Sequence, residues 1–217
     1  MTTELSIIIP TLNAAAFLPA TLAALGNDCE IIVVDGGSTD GTSERAAASG
    51  VRVLTAPRGR GTQIAAGIAA ATHPWLLLLH ADTRLAPNWR EAAHDNPARA
   101  GYFRFVLDTS DPRARRLERL VAWRSRVLGL PYGDQGLLIH RDLLHAVGGM
   151  KPLPLMEDVD LVRRLGRDRL TALPADAVTS ARKWETGGYL RRSARNLFCL
   201  TLWFAGMGPE KIMRIYG

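Results

Sequence analysis

Trp75-Leu-Leu-Leu-Leu-His-Ala-Asp-Thr83 is the stretch that sets the fold. An uninterrupted apolar run from Trp75 to Leu79 is the pattern of a strand buried on both faces, and it stops at His80, Ala81 and Asp82. Polar chemistry therefore stands at the end of a buried strand. In open α/β sheets that edge collects ligands, because the loops after parallel strands converge over a crevice.

Upstream of it, the same theme recurs. Leu5 to Ile9 is a β-branched strand ended by Pro10, and Thr11 and Asn13 supply side-chain oxygens before a helical pattern of Phe17, Leu18, Leu22 and Leu25. Glu30 to Val34 is a second buried strand that runs into Asp35-Gly-Gly-Ser-Thr-Asp-Gly41, where Ser38 or Thr39 is expected to cap the next helix. Val51 to Thr55 is a third strand, followed by Arg58-Gly-Arg-Gly61, Gln63 and a small-residue helix through Ala71. Strand–helix alternation with short connections predicts parallel, right-handed βαβ units. If those strands are neighbours, Thr11, Asp35, Arg58 and Asp82 meet on one edge.

Downstream, regularity fades. Tyr102 to Leu107 reads as a strand, and Asp111-Pro112 starts an arginine-rich helix that Gly129 and Pro131 stop. Its arginine face reads as solvated surface. Gly133-Asp-Gln-Gly136 precedes a strand from Leu137 to His140, Asp142 is expected to cap a short helix, and Met156-Glu-Asp-Val-Asp160 opens another. A short segment near Leu173, the cluster Arg182-Lys-Trp-Glu185 and a terminal helix over 191–217 complete the chain.

The totals set bounds. With 217 residues, 47% hydrophobic, one compact domain with a substantial core is expected, divided into a nucleotide-binding half (1–100), an acceptor-binding half (101–190) and the terminal helix. The two cysteines, Cys29 and Cys199, have no partner at metal-ligand spacing, which favours a reduced, cytoplasmic protein. No signal peptide is read at the amino terminus, and Leu197 to Met207 is too short to span a bilayer. A net charge of +6 favours acidic partners.

Taken together, Ile7-Ile-Ile-Pro-Thr-Leu-Asn13, Ile31-Ile-Val-Val-Asp-Gly-Gly-Ser-Thr-Asp-Gly41, Leu79-His-Ala-Asp82 and Glu157-Asp158 resemble the family 2 glycosyltransferases, and the chain length with Tyr132-Gly-Asp-Gln135 and Arg182-Lys-Trp184 is similar to a small bacterial subgroup of unassigned or variable acceptor. The resemblance implies a GT-A fold: α/β, with a Rossmann-like, mostly parallel central sheet flanked by helices and a mixed strand order in the second half. It further implies that Pro10, Thr11, Asn13 and Asp35 contact a nucleoside diphosphate sugar, a UDP-sugar by family default, together with His80 and Ala81. Asp82 would bind a divalent metal, Mg²⁺ or Mn²⁺. The family usually has an aspartate where this chain has His80. Asp158 matches the catalytic base and Glu157 its acidic neighbour.

The chemistry fits those residue types. A leaving diphosphate needs positive charge, and Mg²⁺ or Mn²⁺ takes only one or two carboxylates, with phosphate and water completing its shell. Arg58 and Arg60, flanked by glycines, would add fixed charge to the same phosphates. A carboxylate opposite the leaving group takes the acceptor proton, and in-line attack inverts the anomeric centre. Asp134 and Gln135, a glycine-flanked polar pair, are expected in the acceptor or sugar pocket, with Trp184 stacking on a ring. The acceptor itself is not readable. Residues 191–214 would lie on a membrane if it is a lipid. Two alternatives stand beside this reading. A nucleotidyltransferase would place a basic glycine-rich loop where Pro10-Thr-Leu-Asn13 stands, and a non-catalytic basic protein would bind an anionic surface. No nucleic-acid partner is expected.

Overall fold

The computed structural model describes residues 4–93 and 95–216. Strands β1 (Leu5–Thr11), β2 (Glu30–Asp35), β3 (Arg52–Thr55) and β4 (Trp75–Leu78) alternate with helices α1 (Leu18–Leu25), α2 (Thr42–Ala48) and α3 (Arg60–Ala70). The chain continues through β5 (Thr83–Leu85), α4 (Trp89–Ala92), β6 (Ala100–Leu107), α5 (Pro112–Leu128), β7 (Leu137–His140), α6 (Arg141–Ala146) and α7 (Glu157–Leu165). It ends with β8 (Leu170–Thr179), α8 (Arg182–Gly187), α9 (Tyr189–Phe204) and α10 (Pro209–Tyr216).

All eight strands form one sheet in the order β3-β2-β1-β4-β7-β6-β8-β5. The first four are parallel, as the strand–helix alternation predicts, and direction reverses at β7, which pairs antiparallel to β4 with Leu78 opposite Leu137. That reversal positions the site: it brings the start of β7 level with the end of β4, so the segments around residues 134 and 82 share one edge.

Side chains alternate across the sheet, and both faces are buried. Ile7, Ile9, Ile31, Val33, Trp75, Leu77 and Leu79 face one way, onto Leu18, Leu22 and Leu25 of α1. Ile8, Ile32, Val34, Leu76, Leu78 and Ile139 face the other, onto α3, α6 and α7 through Ile64, Leu143, Leu161 and Leu165. A third cluster, Phe105, Leu107, Ala114, Val121, Ala181 and Tyr189, lies beneath α5 and α9.

Several local expectations are corrected. The segment near Leu173 is a ten-residue strand, β8, and its register against β6 shifts between Tyr102 and Arg104, where Pro174 falls. A proline inside a strand is tolerated at such an irregularity, and it broke the pattern the sequence offered. β5 is three residues long and pairs only with β8. The terminal helix is two helices, α9 and α10, divided around Gly206, which has a φ of 86°. Its expected last residue, 217, lies outside the described residues. Ser38 and Thr39 do not cap α2. Asp40 accepts the Thr42 N–H at 3.1 Å instead. Nor does Asp142 cap α6, since the His140 ring accepts the Asp142 N–H.

Candidate active site

At the carboxyl ends of β1 and β2, Asp35 organises its own loop. Its carboxylate accepts from Thr11 Oγ1 at 3.1 Å, from the N–H groups of Gly37 and Ser38 at 3.1 and 2.8 Å, and from the Ser38 hydroxyl. Burial raises the Asp35 carboxyl, but these donors outweigh it and hold it below the usual range. Asn13, at a φ of 52°, ties the two loops together: its N–H donates to Ser38 Oγ at 2.8 Å and its Oδ1 accepts the Thr39 N–H at 2.9 Å. Beneath them, buried Gln63 donates to the carbonyls of Thr11 and Val34 at 2.7 and 2.8 Å. Gly36 packs closely on it, since a Cβ there would meet the Gln63 amide at 3.0 Å and press on these hydrogen bonds.

Arg60, on the first turn of α3, is the centre of a second network. Its Nε donates to Glu157, its Nη2 lies 3.1 Å from Asp158 Oδ2, and its Nη1 is 3.1 Å from His80 Nε2. Arginine only donates, so His80 Nε2 is the acceptor and its proton sits on Nδ1. Burial and the adjacent guanidinium push the His80 imidazolium down to about 4, so the ring is neutral at physiological pH. Asp158 also accepts from the N–H groups of Gly133 and Val159, at 2.9 and 2.8 Å. Burial pushes its carboxyl up, while Arg60 and those backbone donors hold it below the ordinary range. Glu157 is raised, chiefly by burial.

Close packing sets Arg60 in place. Gly61 follows it, and a Cβ there would lie 2.6 Å from the carbonyl oxygens of Lys151 and Leu153. Only glycine lets α3 approach the 151–153 segment that leads into α7. Met156, immediately before α7, has a φ of 65°, an uncommon conformation for a side-chain-bearing residue.

A cleft of about 580 Å³ opens over this network, lined among others by Arg60, His80, Asp82, Asp134, Asp158 and Trp184. Asp82 Oδ2 pairs with Lys183 Nζ at 3.0 Å. Burial raises the Asp82 carboxyl, but the Lys183 ammonium holds it below its usual range. Asp134 differs. Its Oδ1 is buried without a partner among the described residues, and burial lifts its carboxyl to about 6. The hard oxygen donors fit Mg²⁺ or Mn²⁺: Asp82 already holds one cation, and Asp134, with an orphaned oxygen, lines the same cleft. Among the described residues there is no cluster of three or more acids, histidines or cysteines able to cage a metal.

Comparison with known sequences matches residues 6–121, just over half of the chain, to the model of Glycosyl transferase family 2. The chain belongs to that family. An uncharacterized glycosyltransferase of Mycobacterium tuberculosis (strain ATCC 25618 / H37Rv) is 41% identical over 78 residues, 36% of this chain and 36% of that relative. A PGL/p-HBAD biosynthesis glycosyltransferase of Mycobacterium bovis (strain BCG / Pasteur 1173P2) is 42% identical over 91 residues, 37% of this chain and 36% of the relative. The chain thus spans little more than a third of these relatives. Among solved structures, a mannosyltransferase from Pyrobaculum calidifontis in complex with GDP-Man and Mn²⁺ superposes with a TM-score of 0.68 at 19% identity, over 98% of this chain and 68% of the other. Glucosyl-3-phosphoglycerate synthase from M. tuberculosis, with Mn²⁺, UDP and glucosyl-3-phosphoglycerate, gives 0.56 at 22% identity, over 81% and 70%. These likenesses establish the GT-A fold.

Within this family 2 domain the residues expected from sequence divide into groups. Asp82, His80, Asp134, Asp158 and Trp184 meet in the cleft, with Glu157 behind Arg60. Thr11, Asn13 and Asp35 form the neighbouring loop cluster, and Pro10 reaches His80 through a small apolar cavity. The Ala81 carbonyl accepts from Thr21 Oγ1 at 2.8 Å. Two residues join neither the cleft nor the loop cluster. Arg58 is exposed, and Gln135 is buried with its amide donating to the Phe103 carbonyl at 3.0 Å and accepting from Ser125 Oγ at 2.9 Å. Sequence reasoning missed Lys183, the cation on Asp82, and the clamp that joins Arg60 to Glu157 and Asp158. The basic–aromatic pair Lys183-Trp184 was the signal for the first. For the second, residues 97 and 98 positions apart gave none.

Proposed function

We propose that this family 2 glycosyltransferase moves a sugar from a nucleoside diphosphate sugar, a UDP-sugar by preference, to an acceptor hydroxyl with inversion, and that Asp158 is the general base. One observation carries the reading: Asp158, ionised and fixed by Gly133, Val159 and Arg60, faces the same cleft as Asp82. Asp82, with Asp134 nearby, would hold Mg²⁺ or Mn²⁺, which supplies positive charge for the departing diphosphate. Thr11, Asn13 and Asp35 would seat the nucleoside, with Asp35 acting largely by holding its loop.

In the transfer, Asp158 takes the acceptor proton, the hydroxyl oxygen attacks the anomeric carbon, and the electron pair of the broken bond leaves with the nucleoside diphosphate. Arg60 lines the cleft, so the diphosphate competes with Asp158 for its guanidinium. Losing that partner raises the basicity of Asp158 as the acceptor arrives. The test is a thermal-shift panel of UDP-, GDP- and dTDP-sugars with and without Mn²⁺, in which a Mn²⁺-dependent rise with one base is expected. No response to any nucleotide would overturn the donor assignment.

A peripheral membrane contact is a second reading, and it has its own observation. α9 exposes Leu190, Leu197 and Phe198 at 87%, 64% and 53%, while neighbouring α5 exposes Leu120 and Trp123 at 64% and 56%. Arginines flank both stripes, which is the pattern of an interfacial surface on the cytoplasmic leaflet. Among the described residues no helix is long and apolar enough to cross a membrane. Sedimentation with anionic vesicles tests this contact.

A further inference from the structure

Arg60 of α3 apart, the charges around the cleft divide by the elements that carry them. Asp82, Asp134 and Asp158 stand on the wall formed by the sheet edge and α7, whereas Lys183, Arg192 and Arg195 stand on the wall formed by α8 and α9. The cations are not equally committed. Arg60 is held by Glu157 and Asp158, and Lys183 by Asp82. Arg192 and Arg195 have no carboxylate partner among the described residues, and their contacts are with aromatic faces. The Arg192 guanidinium lies 5.2 Å from the Trp184 ring centre, and that of Arg195 lies 4.7 Å from the Tyr216 ring centre.

Two buried polar atoms on this wall are unsatisfied. Arg192 Nε and Asn196 Oδ1 have no hydrogen-bond partner among the described residues, and four positions apart on α9 they share a helix face with Arg195. A buried polar group left without a partner is costly, so its presence in a cleft wall points to something that completes it. Neither guanidinium has its N–H fork taken by a carboxylate, and a planar fork of this kind matches the oxygens of a phosphate or carboxylate.

We propose that Arg192, Arg195 and Asn196 form a subsite for an anionic group, phosphate or carboxylate, on the acceptor. Its assignment to the acceptor rests on the transfer reading above. The nucleoside loop of Thr11, Asn13 and Asp35 does not line this cleft, whereas Asp158 does, so α9 stands on the acceptor side of the base. Trp184 and Tyr216 hold the two guanidinium groups and give the acceptor an apolar shelf. Asn196 is left to pair with a hydroxyl or amide of the acceptor.

The experiment is calorimetric titration of inorganic phosphate into the protein, alone and saturated with UDP and Mn²⁺, for wild type, Arg192→Gln/Arg195→Gln and the charge-matched control Arg45→Gln/Arg169→Gln on exposed positions. Wild type and control are expected to bind phosphate alike, and the α9 variant at least about tenfold more weakly while keeping its UDP–Mn²⁺ affinity within about twofold. Absence of phosphate binding to wild type, or equal binding by the α9 variant, overturns the subsite. A parallel loss of UDP–Mn²⁺ affinity in the α9 variant also overturns it, by giving the arginines to the donor. Failure of UDP and GDP to bind wild type would defeat the donor reading alone, since the nucleotide-free titration still reports on the subsite. Two further arms, glycerol 3-phosphate and vesicles containing phosphatidic acid, separate a free acceptor from a lipid-borne one; arginine-dependent binding in either supports the subsite.

Discussion

Arg60 Nη2 lies 3.1 Å from Asp158 Oδ2, joining residues 98 positions apart, and the same guanidinium holds Glu157, which is 1% exposed. Removing this cation strands a buried carboxylate. Arg60→Gln is expected to cost about 3–5 kcal/mol in urea unfolding at pH 7. Arg60→Lys should recover only part of that, because an ammonium cannot match the planar fork that spans Glu157, Asp158 and His80. Full recovery by lysine would mean that charge alone matters there.

Asp158→Asn keeps the shape and removes the basicity. Transfer is expected to fall about 10²- to 10⁴-fold, with the thermal shift from the nucleotide sugar and Mn²⁺ retained. Preserved turnover would place the base elsewhere.

Lys183 occupies Asp82 as a metal would. Lys183→Ala should therefore strengthen Mn²⁺ binding to the nucleotide-free protein, read by calorimetry, because the ion no longer displaces an ammonium held at 3.0 Å. Asp82→Ala should abolish the Mn²⁺ dependence of nucleotide binding. Equal Mn²⁺ affinity in wild type and Lys183→Ala would show that lysine and metal do not compete.

Two half-buried groups give opposite pH slopes. Asp134 titrates near 3.8 in the unfolded chain and about 6 in the fold, so the folded state holds the extra proton and stability falls as pH rises between those values. Asp134→Asn is thus expected to raise the melting temperature at pH 7.5 and not at pH 4. His80 titrates near 6.5 unfolded and about 4 folded, so stability falls as pH drops from 6.5 to 4. His80→Gln, whose carbonyl still accepts from Arg60, should flatten that acid limb in melts of the metal-free protein.

Gly61→Ala tests the packing that positions Arg60. Its Cβ would press on backbone at 2.6 Å, which no rotamer relieves, so a loss of about 1–3 kcal/mol is expected together with reduced transfer. Wild-type melting would show that the 151–153 segment yields.

Legibility in the sequence follows range. The parallel half was readable because each strand–helix unit carries its own apolar period, and Ile7 to Ile9, Ile31 to Val34 and Trp75 to Leu79 lie on both buried faces as their composition implies. Asp82 stood out because it follows the apolar run of β4, whereas Asp158, in the first turn of α7, was singled out only by the family resemblance of Glu157-Asp158. β8 was obscured by Pro174, and β5 is too short to show a period. The α9 wall was hidden for another reason. Its arginines read as the polar side of an amphipathic helix, and only the tertiary placement of Trp184 and Tyr216 turns that side toward the cleft.

The reversal of direction between β4 and β7 has a consequence for biosynthesis. Strands up to β4 pair with chain already made, but β7 pairs with β4 across some sixty positions, Arg60 waits for Glu157 and Asp158, and Asp82 waits 101 positions for Lys183. Such distant closures come late in folding. On the ribosome, the loop cluster of Thr11, Asn13 and Asp35 is complete long before Asp158 and Lys183 emerge. A nascent chain therefore holds the loop cluster around Asp35 finished while Arg60 and Asp82 still lack their distant partners Glu157, Asp158 and Lys183.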